Sequence, residues 1–573
     1  MNSLICTTLL VETSPQGLPL GAACIASSIK SDPRTKNDFL VSLVDFSLED
    51  KQITEAQKNG GIDGVANFIA NQLAAKNPDF VCFSVFVWNR LILEKSCQLL
   101  KQILPQCICI AGGPEVTAEP LSFKDFDFMI AGQGERATVE LLKAILSKKE
   151  FSVQGVYCKK ESLDSHAKNA RNSQIIRACP LPLDITSSPY LDGTLDPSKY
   201  AGALWELARG CPFKCSYCYE SKGEQKIAYF PLERLEKEIE LFAQKKIPQV
   251  FVLDPTYNAS KERAIKMLKI IQKKAPGIFF YFEARSEFID RELARAFSKI
   301  PCCLQIGLQS ANPQVLKNVH RTLDKKRFIK NIGFLNEEGV TFGFDLIYGL
   351  PGDSFLGFCQ SIDFALSLYP NNLELFCLSV LPGTDLHDTA TSFGIEWEQK
   401  PPYHVRFTPT FSEQDLKKAE RLARATNLFY TKGRAVPWFN SVLHVLKEKP
   451  SDFLKKFESF LENSESNKSL FFTECDSNNT VIEELQLAFV QKLFCQKHLE
   501  KFYPIAEDLI RLHGALSRCT FDGTQSTLTT HYHPDDIMCE YASDIEFFTQ
   551  NCAKQKSRVK VFCSPNGADW KVL

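Results

Sequence analysis

The sequence predicts an α/β protein with three main regions. These are a doubly wound, Rossmann-like parallel sheet at residues 1–150, a partial (β/α)6 barrel at 200–400 and a mainly α-helical region at 401–573. Short apolar runs rich in Val, Ile, Leu and Phe alternate with amphipathic helical patterns in both of the first two regions. Such alternation is typical of parallel sheets covered by helices. Residues 151–199 form a connector, because repeated Pro favours an extended path there.

The first region contains five predicted strands, each a continuous apolar run as expected for a strand buried on both faces. Ligands of such sheets bind at the carboxyl ends of the strands, where the loops lie. The predicted strands are Leu4–Val11, Phe39–Phe46, Phe80–Val87, Cys107–Ala111 and Phe126–Ala131, and the predicted helices are Leu18–Ile29, Val65–Ala75, Leu91–Leu104 and Arg136–Leu146. The connector adds one predicted strand, Phe151–Lys159, followed by a charged, Ser/Asn-rich stretch through Ser173.

The second region contains six predicted β-α units, enough for a partial barrel whose active site lies at the carboxyl ends of the strands. The predicted strands are Ala203–Ala208, Gln249–Leu253, Phe279–Glu283, Leu304–Leu308, Thr341–Ile347 and Glu374–Val380. The predicted helices are Leu232–Gln244, Lys261–Lys273, Glu287–Ser298, Pro313–Asn318, Lys325–Glu338 and Phe355–Leu368.

The third region carries a weaker signal, with four predicted helices and one predicted strand. Segments 461–479 and 520–535 are polar and are interpreted as loops. The helices are Ser412–Phe429, Ser441–Glu448, Ser451–Phe460 and Val481–Leu493, and the strand is Ser557–Cys563.

Composition argues against several classes of protein, although it leaves open an RNA substrate held by a local patch. The 573 residues include 67 basic and 68 acidic side chains, whereas a free-standing nucleic-acid binder is usually clearly basic. The start of the sequence, Met1–Cys6, has no signal-peptide features, and the longest apolar run, near Phe80–Trp88, is too short to span a membrane. The 21 Cys residues therefore indicate a reducing cytoplasm, with buried thiols and one metal site.

The most informative stretch runs from Arg209 to Glu220, where Cys211, Cys215 and Cys218 form a C-x3-C-x2-C motif. Iron–sulfur clusters are held by Cys thiolates, usually four. Three local thiols would leave one iron of a four-iron cluster free to bind something else. A structural zinc site, which would need a further Cys or His pair, and buried structural thiols stay open as alternatives at this point.

The motif resembles that of the radical S-adenosylmethionine (SAM) superfamily, in which an aromatic residue such as Tyr217 often precedes the third Cys. The resemblance implies a [4Fe-4S] cluster on Cys211, Cys215 and Cys218, with SAM bound to the open iron and cleaved to a 5′-deoxyadenosyl radical. It also assigns SAM contacts to the ends of later barrel strands, where Arg suits a carboxylate because its planar fork binds both oxygens. With Tyr217 of the motif itself, the residues assigned to SAM are Asp254, Asn258, Glu283, Gln309, Arg321 and Asp345.

The loops of the first region resemble those of the N-terminal cobalamin-binding domain found in one large radical SAM class. There a Gly-Gly-Pro turn and a Gly-x-Gly-Glu turn line the corrin pocket, which predicts cobalamin contacts at Ser84, Gly112, Gly113, Gly134 and Glu135. One departure is clear. The sequence lacks the Asp-x-His-x-x-Gly pattern that supplies a cobalt ligand in other cobalamin proteins, and its first histidine is His166.

These resemblances imply a radical SAM enzyme, with cobalamin-dependent methyl transfer to an unactivated carbon or phosphorus as the main hypothesis. A radical SAM enzyme without cobalamin, performing a rearrangement, oxidation or cyclisation, is the alternative. An Fe–S electron carrier or sensor is the non-enzymatic alternative. The expected partners are a small-molecule or peptide substrate, in preference to nucleic acid, and an electron donor such as flavodoxin or ferredoxin. The C-terminal region is expected to cap the barrel mouth.

Overall fold

The computed structural model contains two parallel sheets followed by a mainly helical region, which confirms the predicted fold class. It describes residues 1–148, 152–159, 175–222, 226–462, 478–564 and 567–573.

The first sheet has six strands in the order β2-β1-β3-β4-β5-β6, all parallel except β6. The order changes direction between β1 and β3, which is where ligands of open α/β sheets bind. The strands are β1 (Asn2–Leu10), β2 (Phe39–Ser47), β3 (Phe80–Ser84), β4 (Ile108–Gly112), β5 (Phe128–Ile130) and β6 (Val156–Cys158). The connector thus contributes β6, while its Ser/Asn-rich stretch, residues 160–174, lies outside the described residues.

Successive side chains of β1 point to opposite faces of this sheet and enter two separate cores. Leu4 and Cys6 are buried with one set of helices, and Ile5 and Leu9 with the other. Coverage on both faces explains why the strands read as continuous apolar runs. The helices are Leu20–Ser31, Lys51–Ala74, Arg90–Ile103, Pro114–Ala118 and Gly134–Ser147.

The second sheet is the predicted six-stranded barrel, entirely parallel, in the order β14-β13-β12-β11-β10-β7. With a small hairpin of β8 and β9, its strands are β7 (Ala203–Trp205), β8 (Ala208–Arg209), β9 (Ala228–Tyr229), β10 (Gln249–Val252), β11 (Phe279–Ala284), β12 (Cys302–Gln309), β13 (Thr341–Tyr348) and β14 (Asn372–Cys377). The helices are Leu232–Gln244, Lys261–Lys274, Arg291–Phe297, Pro313–Asn318, Lys325–Glu337 and Phe355–Leu366.

Side chains alternate along the barrel strands between an apolar outer face and a partly accessible lumen. In β12, Leu304, Ile306 and Leu308 are buried against the helices, whereas Gln305 and Gly307 are only half-buried on the lumen side. A polar, accessible lumen leaves room for ligands inside the barrel.

The segment after the sixth strand, residues 378–407, crosses the barrel mouth. The backbone N–H of Leu386 donates to the carbonyl of Ser216 at 2.8 Å. The hydroxyl of Tyr403 donates to Glu115 of the first domain at 2.7 Å. The segment contains helix Asp385–Thr389 and the antiparallel pair β15 (Glu396–Trp397) and β16 (Val405–Phe407).

The C-terminal helices extend the barrel at its β14 edge. Tyr430 donates to the carbonyl of Pro370 at 2.6 Å, and the N–H of Ser451 donates to Asp363 of helix Phe355–Leu366 at 2.7 Å. Among the described contacts, residues 378–407 take the covering role that the sequence analysis assigned to this region. The helices are Glu413–Thr426, Phe439–Leu446, Pro450–Glu462, Asn479–Gln496, Tyr503–Asp522, Pro534–Ile537 and Ile545–Asn551.

The chain ends in an antiparallel sheet of β17 (Ser526–Thr530), β18 (Ser557–Ser564) and β19 (Gly567–Val572). The prediction of a loop over 520–535 is therefore wrong, because the polar strand β17 is stabilised by pairing with β18 and not by an apolar run of its own. Residues 463–477, most of the other predicted loop, lie outside the described residues. No helix in the described parts of the chain is both long and apolar enough to cross a bilayer.

Replacing Gly333 by Ala is expected to stabilise the barrel. Gly333 lies inside helix Lys325–Glu337, and a methyl group there would meet no atom within 4 Å. The free energy of unfolding should rise by about 0.5–1 kcal/mol, measured by denaturant unfolding, because Ala loses less backbone entropy than Gly. The matched Gly343→Ala change should destabilise, because its methyl group would collide with Asn372. Equal effects of the two changes would contradict this packing.

Candidate cofactor-binding site

Residues 210–218, which carry the three predicted cluster ligands, follow β8 at the carboxyl end of the barrel. We call them the cluster-binding loop. Cys211 and Cys215 are buried and Cys218 is half-buried. The loop is fixed from two sides at Ser216, whose N–H donates to the carbonyl of Val319 at 3.2 Å and whose carbonyl accepts from Leu386. The three thiols are therefore held on a backbone that two other segments position.

A structural zinc site would need four donors at about 2.0–2.3 Å from one point. Within the described ranges, no group of three or more His, Cys, Asp or Glu side chains is placed to hold a metal ion.

Arg321 and Gln309 meet beside this loop. Arg321 donates through Nη1 to the hydroxyl of Tyr217 at 3.2 Å and through Nη2 to the carbonyl of Gly307 at 2.6 Å. Gln309 has a positive φ of 65°, which is unusual for a residue with a side chain. A methyl group on Gly307 would lie 2.5 Å from Nε2 of Gln309, so the amide of Gln309 lies directly over this glycine.

Several buried polar atoms around this point have no partner among the described residues. They are Ser216 Oγ, Gln309 Oε1 and Arg321 Nε. Buried polar atoms are nearly always hydrogen-bonded in native proteins, and an unsatisfied one costs free energy. This donor and acceptor set fits a polar, charged ligand such as SAM.

Two of the predicted carboxylates lie in the lumen, on the strands either side of β12. Gln305 of β12 lies between them: it is the register partner of Glu283 and donates to Asp345 at 2.6 Å. Glu283 is exposed to the open lumen, yet the surrounding protein, with the charges of Asp345 and Glu220, raises its pKa to about 7. Burial raises the pKa of Asp345 to about 6. The lumen therefore gains negative charge near neutral pH.

Asp254 and Asn258 shape the backbone of the site. One oxygen of Asp254 accepts from the N–H groups of Leu207 and Ala208, each at 2.9 Å. Burial raises the pKa of Asp254 to about 7. The amide of Asn258 pairs with the backbone of Arg285 through bonds of 2.8 and 3.0 Å. These two side chains position strand ends, and their assignment as SAM contacts remains a prediction.

A cavity of about 930 Å³ lies between the carboxyl edge of the first sheet and the cluster-binding loop. Gly113 has a φ of 110°, and a side chain there would collide with the carbonyl of Val85. A methyl group on Gly134 would lie 2.8 Å from Ile25. All five predicted cobalamin contacts line this cavity, namely Ser84, Gly112, Gly113, Gly134 and Glu135. Their roles remain predictions, but the structure brings them together.

Arg209 is a residue of the site that the sequence analysis did not single out. Its guanidinium pairs with Glu135 at 2.8 Å, with Glu206 at 2.9 Å, and donates to Gln133 at 2.8 Å. Burial opposes its charge, but the carboxylates of Glu206 and Glu135 raise the pKa of Arg209. The position just before Gly210 and the first motif cysteine was the only sequence signal. Arg209 therefore joins the two domains where the cluster-binding loop begins.

The aromatic lining of the cavity was also missed. The rings of Phe86 and Trp88 are stacked at 4.6 Å with an interplanar angle of 5°, and both line the cavity. Trp88 is 52% exposed. This stacked pair gives the cavity a flat apolar wall, suited to a flat ligand. The signals available in the sequence were Phe86 near the end of the third predicted strand and Trp88 directly after it.

Residues 205–365 match the family model of the radical SAM superfamily, so this part of the chain is a radical SAM domain. Members of this superfamily use a [4Fe-4S] cluster and SAM.

Two curated relatives that are similar to this chain are both named as methyltransferases. The chain is 27% identical over 364 residues to "Cobalamin-dependent radical SAM methyltransferase TokK" of Streptomyces tokunonensis, covering 57% of this chain and 51% of that protein. It is 26% identical over 358 residues to "2-(S-pantetheinyl)-carbapenam-3-carboxylate methyltransferase" of Streptantibioticus cattleyicolor, covering 57% of this chain and 50% of the relative. The match thus spans about half the length of these curated relatives.

Solved structures share the fold. TsrM from Kitasatospora setae, with cobalamin and a [4Fe-4S] cluster bound, has a TM-score of 0.55 at 15% identity, covering 72% of this chain and 82% of that one. The cobalamin-dependent SAM radical enzyme OxsB, with aqua-cobalamin and SAM bound, has a TM-score of 0.54 at 13% identity, covering 87% and 79%. Both domains therefore have the architecture of cobalamin-dependent radical SAM enzymes.

Replacing Gly307 by Ala should weaken SAM binding while leaving the fold intact. The new methyl group would displace the amide of Gln309, which it would approach to 2.5 Å. We expect the Kd for SAM to rise up to about 10-fold, the loss of about one neutral hydrogen bond from Gln309, in calorimetric titration of anaerobically reconstituted protein. Gly277→Ala, where a methyl group has open space, is the control. Unchanged affinity in Gly307→Ala would remove Gln309 from the SAM site.

Proposed function

We propose that this protein is a cobalamin-dependent radical SAM methyltransferase acting on an unactivated carbon or phosphorus of a small molecule or peptide. The single observation that carries the proposal is the cavity of about 930 Å³ between the first sheet and the residues that flank the three motif cysteines, namely Gly210, Tyr219 and Glu220. The likeness to TokK and the shared fold of TsrM and OxsB support the same reading. The alternative without cobalamin is not favoured.

Each cofactor has candidate ligands among the described residues. Cys211, Cys215 and Cys218 would hold the cluster, and the glycine turns at Gly113 and Gly134 would admit a corrin edge close to the backbone. When bound, the cluster with SAM supplies a hydrogen-abstracting radical, and cobalamin supplies a transferable methyl group. No histidine is among the described residues that line the cavity, so the protein would hold cobalamin without an imidazole ligand.

The residues around SAM have separable tasks in this proposal. The fork of Arg321, already fixed by Tyr217 and Gly307, would receive the carboxylate of SAM. Gln309 offers an unpartnered oxygen to a ribose hydroxyl. Glu283 and Asp345 supply negative charge for the ammonium and sulfonium groups. The protein thereby orients the ligand, while residues 378–407 shield the mouth from water.

We further propose that the protein works in the cytoplasm with a low-potential electron donor such as flavodoxin or ferredoxin. Many of the cysteines in the described ranges are buried, and buried thiols in this number are typical of a reducing compartment. Reductive cleavage of SAM consumes one electron, which this donor would supply.

Anaerobic purification from a cobalamin-fed host tests the proposal directly. The protein should carry about four irons and one corrin per chain, measured by iron assay, absorbance spectroscopy and cofactor extraction. Replacing any one of Cys211, Cys215 and Cys218 by Ala should remove most of the iron and abolish SAM cleavage. The exposed Cys495, replaced by Ala, is the control. Zinc without iron would refute the radical SAM reading, and iron without corrin would refute its cobalamin part.

SAM binding should strengthen as the pH rises from 5.5 to 7.5. Glu283 and Asp345 are protonated below their raised pKa values of about 7 and about 6, and they become negative as the pH passes those values. Ionised carboxylates favour a cationic ligand, so affinity should rise about 3- to 10-fold across this range. Calorimetry at several pH values measures it.

The Glu283→Gln variant should show a flatter pH profile than the wild type, because its amide does not titrate. The exposed Glu55, replaced by Gln, is the matched control and should keep the wild-type profile. An unchanged slope in Glu283→Gln would show that another group sets the pH dependence.

A further inference from the structure

The C-terminal sheet contacts helix Tyr503–Asp522 through polar groups in both halves of the helix. In the first half, the carboxylate of Asp508 accepts from the backbone N–H groups of His531 and Tyr532, at 2.7 and 2.9 Å. These two residues directly follow β17, so this contact holds the start of the sheet. In the second half of the helix, the contact is made by two cysteines.

Cys519 and Cys563 place their thiols in direct contact. Cys519 is buried in the last turn of the helix, whereas Cys563 is exposed near the end of β18. The two Sγ atoms are 2.6 Å apart, and the thiol of Cys563 also donates to the carbonyl of Cys519 at 3.3 Å. The residues are 44 positions apart in the sequence, so the fold brings them together. Both are free cysteines, and solvent reaches the pair through Cys563.

Thiol contacts in the first domain differ in access. Cys6 and Cys82 are register partners on β1 and β3, and their thiols are hydrogen-bonded, but both side chains are buried against the helices of that domain. Cys107 and Cys109 are likewise in contact and buried. An oxidant in solution has no route to these thiols. The pair at the C-terminal sheet differs because one of its two thiols is exposed.

We propose that Cys519 and Cys563 are a redox-active pair that closes to a disulfide when a small disulfide such as oxidised glutathione reaches Cys563. The inference is independent of the proposed function, because neither residue belongs to the cysteine motif or lines the cavity. Thiols that already face each other can be joined with little movement of the backbone. Disulfides that form in a reducing compartment are usually transient or redox-sensing. The pair would therefore stay open in a reducing cytoplasm and close when the glutathione pool is oxidised.

The closing reaction consists of two thiol–disulfide exchange steps. The thiolate of Cys563 attacks one sulfur of oxidised glutathione, forming a mixed disulfide and releasing one glutathione thiolate. The thiolate of Cys519 then attacks Sγ of Cys563, which breaks the mixed disulfide and releases the second glutathione. The two cysteines lose two electrons and two protons, and the two glutathione molecules gain them. Cys563 reacts first because it is the exposed member of the pair.

Closure would act on the edge of the C-terminal sheet. Val559 and Val561 of β18 are buried in the core, whereas Val572 of the edge strand β19 is exposed. Cys563 is the register partner of Ala568 in β19. Regions with few buried contacts open most readily. A covalent bond from Cys563 to the helix would therefore suppress opening of the strand pair formed by β18 and β19.

Oxidation of the whole, anaerobically purified protein with oxidised glutathione tests the pair. Peptide mapping by mass spectrometry without reduction should find Cys519 joined to Cys563, and the buried Cys6 and Cys82 unjoined. The Cys519→Ser variant should instead keep glutathione on Cys563, as the exposed Cys495 should in the wild type. Circular dichroism verifies that the variant is folded, and dithiothreitol should reverse the link. Glutathione retained on Cys563 of the wild type, or no modification of Cys563 at all, would overturn the proposal.

Hydrogen exchange measures the consequence of closure. In the oxidised wild type, amides of β18 and β19 should exchange about 10-fold more slowly than in the reduced protein, because a covalent link opposes local opening. The Cys563→Ser variant should show no change on oxidation, whereas the control variant Cys495→Ser should slow as the wild type does. Unchanged exchange in wild-type protein whose disulfide has been mapped would overturn the effect on the sheet.

Discussion

The pairing of Arg209 with Glu135 and Glu206 is the constraint on which the arrangement of this protein depends. It connects the first turn of a helix in the N-terminal domain to the strand that leads into the cluster-binding loop. Because these groups are largely buried, loss of the arginine would leave two carboxylates without a counter-charge, which is more costly than never having formed the pair. The guanidinium of Arg209 therefore helps to fix the position of the three cysteines relative to the cavity.

Two parallel sheets meet at their carboxyl edges in this molecule, and that is why two ligand sites can lie side by side. Each sheet places its loops at the same kind of edge by the ordinary rule for parallel strands. In the barrel, Asp254 and Asn258 use their side chains to hold neighbouring strand ends together. In the first domain, Gly113 removes the side chain that would block the backbone. Hydrogen-bonded strand ends and a glycine turn without a side chain thus leave room for ligands between the two sheets while the backbone stays fixed.

Most strands and helices follow from apolar periodicity, and Gln309 and Asp345 come close to one another because both lie on neighbouring barrel strands near their carboxyl ends. Arg321 joins them from the loop after the short helix Pro313–Asn318. Contacts between distant parts of the chain determine the elements that the sequence pattern did not predict. The helix Lys51–Ala74 was predicted only in its second half, since it bends at Gly61, where the backbone is not helical. Strand β17 has too few apolar residues to be recognised without its partner. Glu206 is close to Arg209 in the sequence, but the other two partners, Gln133 and Glu135, lie more than 70 residues away. One sequence alone therefore gives no sign that Arg209 pairs with them.

The bond between residues 378–407 and the cluster-binding loop uses the backbone N–H of Leu386 and the backbone carbonyl of Ser216. A contact of this kind is indifferent to side-chain identity. Side chains at this point of the covering segment can therefore be replaced without removing the bond to the loop. The other anchor is different in kind, because the bond from Tyr403 to Glu115 depends on the tyrosine hydroxyl. The segment is thus attached to the barrel by its backbone and to the first domain by a side chain.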